Sequence, residues 1–378
     1  MLCNQRHLFD IADGITYLNT AAYSPLLTAA FVAGEEGLKR KYHPWDLDIA
    51  LPSVEAEVVR KLFAELIGAK VDDVAIVNSA SYGIETAARN LHLSRGQKVV
   101  VIQDQFPSNI FSWRRLAVES KAKLLFVARP VDGNWTEAVL KTLDQTVGIA
   151  ALPPCHWSDG STLDLVAIGA RCRELGVPLV VDATQAAGAM SFDVQKIQPD
   201  FVACAAYKWL LCPYTIAFLY AAPHQQTGTP LEFHRWNHSD PSPVASKMGY
   251  SKDYHVGARR YDMGEVNNLI HLPMAKASLI QLTAWTPDAI QGYLRPITDY
   301  VANEAEKRGW QVPPPDHRVG HFIGMTPSSL ISGDLVGRLQ KDGIHISKRG
   351  TGLRISPYLF NEHDDISRLF AALDKAIT

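Results

Sequence analysis

The run Val147-Gly-Ile-Ala-Ala-Leu152 is followed by a helical pattern from Asp164 to Leu175, which ends at Gly176, and then by Pro178-Leu-Val-Val-Asp182. Both runs are short and continuously apolar, which is typical of strands buried on both faces of a sheet. A strand, a helix and a second strand in this order form a unit whose two strands can lie parallel. The sequence therefore predicts an α/β fold built on a mostly parallel sheet.

The same alternation of apolar runs and helical patterns continues on both sides of this unit. Further strand candidates lie at residues 74–78, 97–102, 122–127, 201–205 and 215–220. A helical pattern at residues 53–67 precedes the first of them, and others lie between strands at residues 113–120 and 135–143. We therefore predict one large α/β domain over residues 17–265, because all of these strands would share one sheet.

The two ends of the chain have a different character. Residues 1–16 show no periodicity, which predicts an irregular N-terminal arm. Residues 266–378 begin with long helices, in which Pro287 and Pro296 are expected to be breaks, and end with an amphipathic helix. We therefore predict that residues 266–378 comprise connecting helices and a small C-terminal α+β domain, against which the arm packs.

Composition excludes several classes of function. Lys plus Arg is 37 and Asp plus Glu is 39, so no basic excess points to nucleic acid. The five cysteines are scattered without a Cys-x-x-Cys pair, which argues against a zinc ribbon, a disulfide framework or another metal site. No signal peptide is evident, and no apolar stretch approaches the ~20 residues of a membrane span. We expect a cytoplasmic protein without a membrane partner.

Two charged side chains follow buried strands. Asp182 closes its strand, where a carboxylate could pair with a positive ring nitrogen, bind a metal or cap a helix. Lys208 lies between apolar residues, so its amine is either buried and nucleophilic or extended toward water. Because ligands of open α/β sheets bind beyond the carboxyl ends of the strands, both residues are candidates for one site.

Together these residues indicate a particular cofactor. Pyridoxal phosphate needs a lysine for its Schiff base and an acidic group beside its pyridine nitrogen. The turn Ser79-Ala-Ser-Tyr-Gly83 offers small residues and free N–H groups at a helix N-terminus, which favours a phosphate. The sequence therefore predicts a pyridoxal-phosphate site, with Lys208 and Asp182 as the catalytic residues.

At this point the chain resembles fold-type I pyridoxal-phosphate enzymes of the class V aminotransferase group, which includes cysteine desulfurases, isopenicillin N epimerase-like proteins and kynureninases. Tyr17-Leu-Asn-Thr-Ala-Ala22 resembles the opening segment of that family, and Asp182-Ala-Thr-Gln-Ala-Ala-Gly188 resembles its Asp-x-x-Gln-x-x-Gly signature. The resemblance extends over nearly the whole chain. It implies a large domain with a mostly parallel sheet of the seven-stranded type, and a small C-terminal domain.

The resemblance also implies how the cofactor is held. Lys208 would carry it and move the α-proton, Asp182 would pair with the pyridine nitrogen, and Gln185 would bond the 3-oxygen. Phe106, in Gln105-Phe-Pro-Ser-Asn109, takes the place of an aromatic residue that stacks on the ring. The remaining cofactor-binding residues implied by the family are Ala80 and Ser81 at the phosphate, Tyr207 before the lysine, and Asp159 or Ser158 near the ring oxygen.

Other implied residues contact the substrate. In Gly352-Leu-Arg-Ile-Ser-Pro-Tyr-Leu-Phe-Asn361, Arg354 corresponds to the arginine that binds the α-carboxylate. A guanidinium suits this role because it binds a carboxylate through two parallel hydrogen bonds. Asn19 and Ala22, in the opening segment, are the other expected substrate-binding residues. Candidates for a side-chain pocket are Trp236, Asn237 and His238.

Two departures from the family pattern bear on function. Glu265 replaces a threonine that in many relatives reaches the phosphate of the partner subunit. No cysteine follows Cys212, whereas cysteine desulfurases carry a persulfide-forming cysteine shortly before the carboxylate-binding arginine. The persulfide route of cysteine desulfuration is therefore disfavoured.

The shared residues leave several reactions open. The leading interpretation is a class V aminotransferase that acts on an amino acid. The alternatives are a C–C or C–S lyase of kynureninase or cysteine-lyase type, an epimerase, and a cofactor-binding protein without turnover. The resemblance further implies a homodimer with its sites at the subunit interface.

Overall fold

The computed structural model describes residues 2–239, 253–328 and 334–377. The strands are β1 (Thr16–Tyr17), β2 (Val74–Val77), β3 (Lys98–Ile102), β4 (Lys123–Val127), β5 (Val147–Leu152), β6 (Leu179–Asp182), β7 (Phe201–Ala205), β8 (Ala217–Ala221), β9 (Ile323–Met325), β10 (Ile344–His345), β11 (Ser347–Arg349) and β12 (Gly352–Ile355). The α-helices are α1 (Thr28–Tyr42), α2 (Leu51–Leu66), α3 (Ala80–Asn90), α4 (Phe111–Glu119), α5 (Trp135–Thr142), α6 (Leu165–Leu175), α7 (Val194–Ile197), α8 (His271–Trp285), α9 (Pro287–Lys307), α10 (Leu335–Lys341) and α11 (His363–Ile377).

The large sheet has seven strands in the order β2-β8-β7-β6-β5-β3-β4. All neighbouring pairs are parallel except those of β8, which runs antiparallel to both β2 and β7. Every residue of β5, β6 and β7 is buried, because apolar clusters cover both faces of the sheet. The predicted α/β fold with a mostly parallel sheet is confirmed.

The connection between β5 and β6 shows why this region folds as the sequence predicts. Asp164 caps α6, since its carboxylate accepts hydrogen bonds from the N–H groups of Val166 and Ala167. The helix ends at Gly176, whose φ of +67° is a left-handed conformation that glycine adopts at little cost. Strand β6 then runs into the sheet and ends at Asp182, so this connection fixes the position of that carboxylate.

The prediction of a break at Pro296 is wrong. Pro287 is the first residue of α9, as proline favours, and Thr286 caps the helix, but α9 continues through Pro296. A proline inside a helix removes one backbone N–H donor, and its ring crowds the carbonyl four residues earlier, here that of Gly292. Buried Ile290, Leu294 and Ile297 hold the helix to its neighbours on both sides of the proline, and this packing outweighs the local preference.

The C-terminal part forms a second layer. Strands β11, β12 and β9 make an antiparallel sheet, and a separate apolar cluster lies between it and helices α9, α10 and α11. The N-terminal arm contacts this part, because the Gln5 N–H donates to the Leu359 carbonyl at 2.7 Å and β1 pairs with β10. Among the described residues, no helix combines the length and hydropathy that a membrane span requires.

Candidate active site

The carboxyl ends of four parallel strands meet at one pocket, whose lining includes four of the predicted residues, Phe106, Asp182, Gln185 and Lys208. Asp182 ends β6, Lys208 follows β7, and Phe106 and Trp157 follow β3 and β5. Ligands of open α/β sheets bind at this edge. The lining of the pocket comprises Gln105, Phe106, Pro153, Cys155, Trp157, Asp182, Gln185 and Lys208.

Lys208 is buried, with 5% of its surface exposed, so the alternative of a lysine that extends to water is wrong. Its Nζ lies 5.2 Å from the ring centroid of Phe106 and 5.5 Å from that of Tyr207. Burial, reinforced by the positive charge of Arg354, lowers its pKa to about 8, although the Asp182 carboxylate acts in the opposite direction. The amine is therefore neutral, and nucleophilic, at a lower pH than an ordinary lysine.

Asp182 is equally buried and lies on the strand next to β7. Its carboxylate accepts a hydrogen bond from the Thr184 N–H at 3.1 Å, and burial raises its pKa. No α-helix follows Asp182, since residues 184–189 form turns, so the interpretation as a helix cap is wrong. The described residues also hold no cluster of ligands that would assign Asp182 to a metal. An acid in such surroundings can stabilise a positive group held against it.

The low pKa of Lys208 has a consequence for stability. The unfolded chain, with a lysine pKa near 10.5, binds more protons than the folded chain between about pH 8 and 10.5, so stability rises with pH across this window. The cost of burying the charge is fully present below pH 8 and amounts to at most about 3 kcal/mol. We expect Lys208→Met to raise the melting temperature of the cofactor-free protein at pH 7. This gain should shrink toward zero near pH 10.5, as thermal unfolding at several pH values would show.

Gln185 connects the segment after β7, which contains Lys208 and Trp209, to Ala21 near the start of the chain. Its Oε1 accepts from the indole N–H of Trp209 at 2.8 Å, and its Nε2 donates to the Ala21 carbonyl at 3.1 Å. One amide N–H of Gln185 is left for the bond to a ring oxygen that the sequence predicts. That role stays a prediction, but both contacts fix the amide at the pocket wall.

The predicted phosphate turn lies at the N-terminus of α3. Ser79 caps this helix by accepting from the Tyr82 N–H at 3.1 Å, and its Oγ lies 3.0 Å from the Oγ of Ser81. Ala80 begins the helix, so its N–H and that of Ser81 have no partner within the helix. A Cβ at Gly83 would lie only 2.9 Å from the Cβ of Ala203, so glycine lets the helix start close to the sheet. This arrangement suits an anion.

Arg354 is the most unusual cation of the site. It is 1% exposed, and its Nη1 donates to the Trp157 carbonyl at 2.7 Å, but its Nε and Nη2 are buried without a partner in the described chain. Burial and the nearby charge of Arg349 lower its pKa to about 9. Because unmade hydrogen bonds of a buried cation are costly, this guanidinium is suited to receive an anion.

The remaining predicted residues lie in different places. Asn19 pairs with Ser356 of the C-terminal part, and its buried Oδ1 has no partner in the described chain, while Ala22 forms a turn with Asn19. Tyr207 stacks on Tyr214, with ring centroids 4.3 Å apart. Asn19 and Ala22 therefore lie near the start of the chain, and Tyr207 immediately precedes Lys208.

Asp159 is not brought into the lining around Lys208. Its carboxylate is ion-paired with Arg129 and also accepts from the Ser161 N–H, so it lies on a neighbouring groove. His156 is fully buried and stacks on Trp135, with centroids 5.7 Å apart, which fits a structural histidine. The predicted contact of Asp159 with a ring oxygen stays a prediction.

Two residues of this region were missed by sequence reasoning. Trp157 lines the pocket, contacts the ring of Phe106 at 5.4 Å between centroids, and supplies the carbonyl that binds Arg354. Arg349 acts electrostatically on both Lys208 and Arg354. The short spacing of Arg349 and Arg354 in the sequence could have indicated the role of Arg349, because a hairpin over these residues places both side chains on one face.

The residues present fit the cofactor that the sequence predicts. A buried acid and a buried lysine of lowered pKa face the same pocket, and an aromatic ring lies beside the lysine. The pocket also contains the Nε2 of Gln105, which is buried without a partner among the described residues. Such an unsatisfied donor indicates a missing acceptor.

Comparisons with known proteins agree with this assignment. Residues 52–236 match the family model of class-V aminotransferases. An uncharacterised aminotransferase, YcbU of Bacillus subtilis (strain 168), is 26% identical over 320 residues, which cover 82% of this chain and 81% of that protein. Isopenicillin N epimerase of Streptomyces clavuligerus is 23% identical over 95% of this chain and 94% of its own length.

The fold is also found among solved structures. A mutant of C-DES with glycine covalently linked to its pyridoxal-phosphate cofactor superimposes with a TM-score of 0.88 at 16% identity, covering 98% of both chains. Both the matched family and this structural neighbour use the cofactor that the sequence predicts. Residues 52–236 of the chain are therefore similar to class-V aminotransferases, and the chain as a whole has the fold of this pyridoxal-phosphate-binding structure.

Proposed function

We propose that the chain is an aminotransferase that binds the α-carboxylate of an amino acid at Arg354 and moves its α-proton with Lys208. The observation that supports this proposal is that the Nε and Nη2 of the buried Arg354 guanidinium have no hydrogen-bond partner among the described residues. They lie within electrostatic reach of a buried lysine whose pKa is lowered to about 8. A carboxylate at Arg354 would satisfy those donors and bring its α-carbon toward that amine.

The proposed cofactor-binding role of each residue follows from its position. Asp182 and Gln185 would hold the pyridine ring at its polar atoms, Phe106 would cover one face, and Ala80 and Ser81 would bind the phosphate. When bound, pyridoxal phosphate withdraws the electron pair that remains after a bond at the α-carbon breaks. Burial of Asp182 keeps water from competing with the positive ring nitrogen for that carboxylate.

Lys208 is suited to carry a proton between two atoms of the reacting molecule. With a pKa of about 8, roughly a tenth of the amine is neutral at pH 7, far more than for an exposed lysine. Proximity to the ring of Phe106 keeps the amine within the pocket after it releases any covalent partner. The same group can therefore accept and return a proton without water.

Two observations bear on the reaction type. The name of the Bacillus relative, which matches over four fifths of the chain, supports transamination. A C–C or C–S lyase is the second candidate, favoured by Tyr207: burial raises the pKa of its phenol, which stays protonated beside Lys208 and could protonate a leaving group. The persulfide route finds no support, because Cys155, in the pocket, is buried with a raised pKa.

We also propose a homodimer. Large apolar side chains project from α1 and the segment after it, and Tyr42, Trp45 and Ile49 are each more than three quarters exposed. Contiguous exposed apolar residues on a soluble domain mark an interaction surface. The cytoplasmic location expected from the sequence stays a prediction.

The reaction type is tested by following both partners of a transamination. The cofactor-loaded enzyme is mixed with each of the common amino acids, with and without pyruvate or 2-oxoglutarate. We expect a new keto acid and a new amino acid in equal amounts, formed over many turnovers only when an acceptor is present. Catalytic release of pyruvate, alanine or ammonia without an acceptor would assign the lyase instead. A lack of any turnover across the panel would reject both.

A further inference from the structure

Arg349 is a second arginine on the same face of the hairpin as Arg354. Strand β11 pairs with β12 so that Ser347 lies opposite Arg354 and Arg349 opposite Gly352. Side chains two residues apart on a strand share a face, so Arg349 and Arg354 are diagonal neighbours, about 7–8 Å apart at the backbone. Two positive charges in this position repel each other, and a bound anion would offset that repulsion.

Neither arginine has an acidic partner in the part of the chain that the structure describes. Within the described ranges, no carboxylate lies within 4.0 Å of either guanidinium. The Nε of Arg349 is buried without a hydrogen bond, and its Nη1 reaches only the carbonyl of Lys348 at 3.0 Å. In contrast, Arg129 on the same groove is ion-paired with Asp159 and is not available. Arg349 therefore retains donors that an anion could fill.

Arg349 opens onto the route from the pocket to the surface. Its guanidinium carbon lies 5.5 Å from the ring centroid of Trp157, whose carbonyl binds Arg354. Trp157 and Arg349 both line a groove of about 580 Å³ that adjoins the pocket. A molecule whose α-carboxylate is bound by Arg354 would thus extend along Trp157 toward Arg349.

We propose that Arg349 binds a second anionic group at the far end of the substrate, so that the enzyme selects amino acids with an acidic side chain, such as aspartate or glutamate. This inference rests on the proposed function of Arg354. The local charges support it: Asp182 and Lys208 are the charged residues of the pocket lining, and in the adjoining groove Asp159 is already paired with Arg129, so no described carboxylate compensates Arg349 or Arg354. A single α-carboxylate would leave Arg349 uncompensated, and a planar guanidinium stacked on an indole is a good receptor for a carboxylate.

The test compares a dicarboxylate with a monocarboxylate of the same length. Calorimetric titration of the cofactor-loaded enzyme with glutarate and with pentanoate isolates the distal carboxylate without turnover. We expect glutarate to bind about 10- to 100-fold more tightly, as a charge-assisted hydrogen bond provides. Arg349→Gln should remove this preference and leave pentanoate binding within about threefold. Lys348→Gln, which removes the exposed neighbouring charge, is the matched control and should keep the preference.

Turnover gives the second readout and separates the two proposals. We expect aspartate or glutamate to exceed asparagine and glutamine in kcat/KM, and Arg349→Gln to abolish that difference, while Arg349→Lys restores part of it. Equal kcat/KM for acids and amides in the wild type, or a preference that survives Arg349→Gln, would overturn the inference and leave the proposed function standing. If no amino acid is turned over and neither carboxylate binds, the proposed function fails and this inference fails with it.

Discussion

Replacing Lys208 with alanine is expected to lower kcat by at least about 10⁴-fold, because in the proposed mechanism this one side chain is both the nucleophile and the proton carrier. Lys208 is the lysine in the pocket lining, and its pKa is lowered to about 8. A methyl group at this position can neither form a bond to the cofactor nor accept the α-proton. The measurement is steady-state turnover with the best amino acid from the substrate panel.

The control for this variant is Lys196→Ala. Lys196 lies in α7, with 73% of its side chain exposed and a carboxylate of Asp193 at 3.7 Å. An exposed ion pair of this kind contributes little to stability or activity. We expect the control to retain wild-type kcat within about twofold. If Lys208→Ala kept more than a tenth of the activity, Lys208 would not be the catalytic lysine.

Replacing Arg354 with glutamine is expected to lower kcat/KM by about 30- to 1,000-fold, which corresponds to roughly 2–4 kcal/mol for removing one partner of a buried charge pair. The loss should appear mainly as weaker binding of the substrate carboxylate. Direct titration with a monocarboxylate such as pentanoate checks this separately from turnover. Arg338→Gln, which removes an exposed arginine of α10, is the control and should leave both quantities unchanged.

Stability distinguishes this effect from misfolding. In the cofactor-free protein, the Nε and Nη2 of Arg354 have no partner in the described ranges, and burial lowers the pKa of the guanidinium to about 9. Glutamine removes that buried charge, so we expect the melting temperature of the variant to be no lower than that of the wild type. A variant that loses both activity and stability would instead show that Arg354 has a structural role.

Much of the fold could be predicted from the sequence, because each central strand is identified by residues that are adjacent in the chain. Each strand of the parallel core is a short, continuous apolar run, and the connection ending at Gly176 carries its own helix signals at both ends. The positions of Asp182 and Lys208 followed, since residues after such strands must meet at one edge. Whether Lys208 is buried was left open by the sequence, because apolar neighbours along the chain are compatible both with a buried amine and with one that extends to water.

The features that were missed depend on packing between distant parts of the chain. Pro296 lies inside α9 because buried residues on both sides of it hold the helix, and no local pattern shows that support. Asp159 turns toward Arg129, a residue 30 positions earlier that comes near only when the strands assemble. The register of β11 and β12 places Arg349 on the same face as Arg354, and the sequence alone does not specify this register.

The most direct test of pyridoxal-phosphate binding at Lys208 is the near-visible absorption spectrum of the purified protein. It is recorded beside that of Lys208→Ala while amino acids are added. We expect a yellow wild type whose band shifts with its substrate, and a borohydride-stable adduct that peptide mapping places on Lys208. The alanine variant should show no such adduct on the protein. A colourless wild type that cannot take up pyridoxal phosphate, or an adduct on a different lysine, would contradict the assignment of this site.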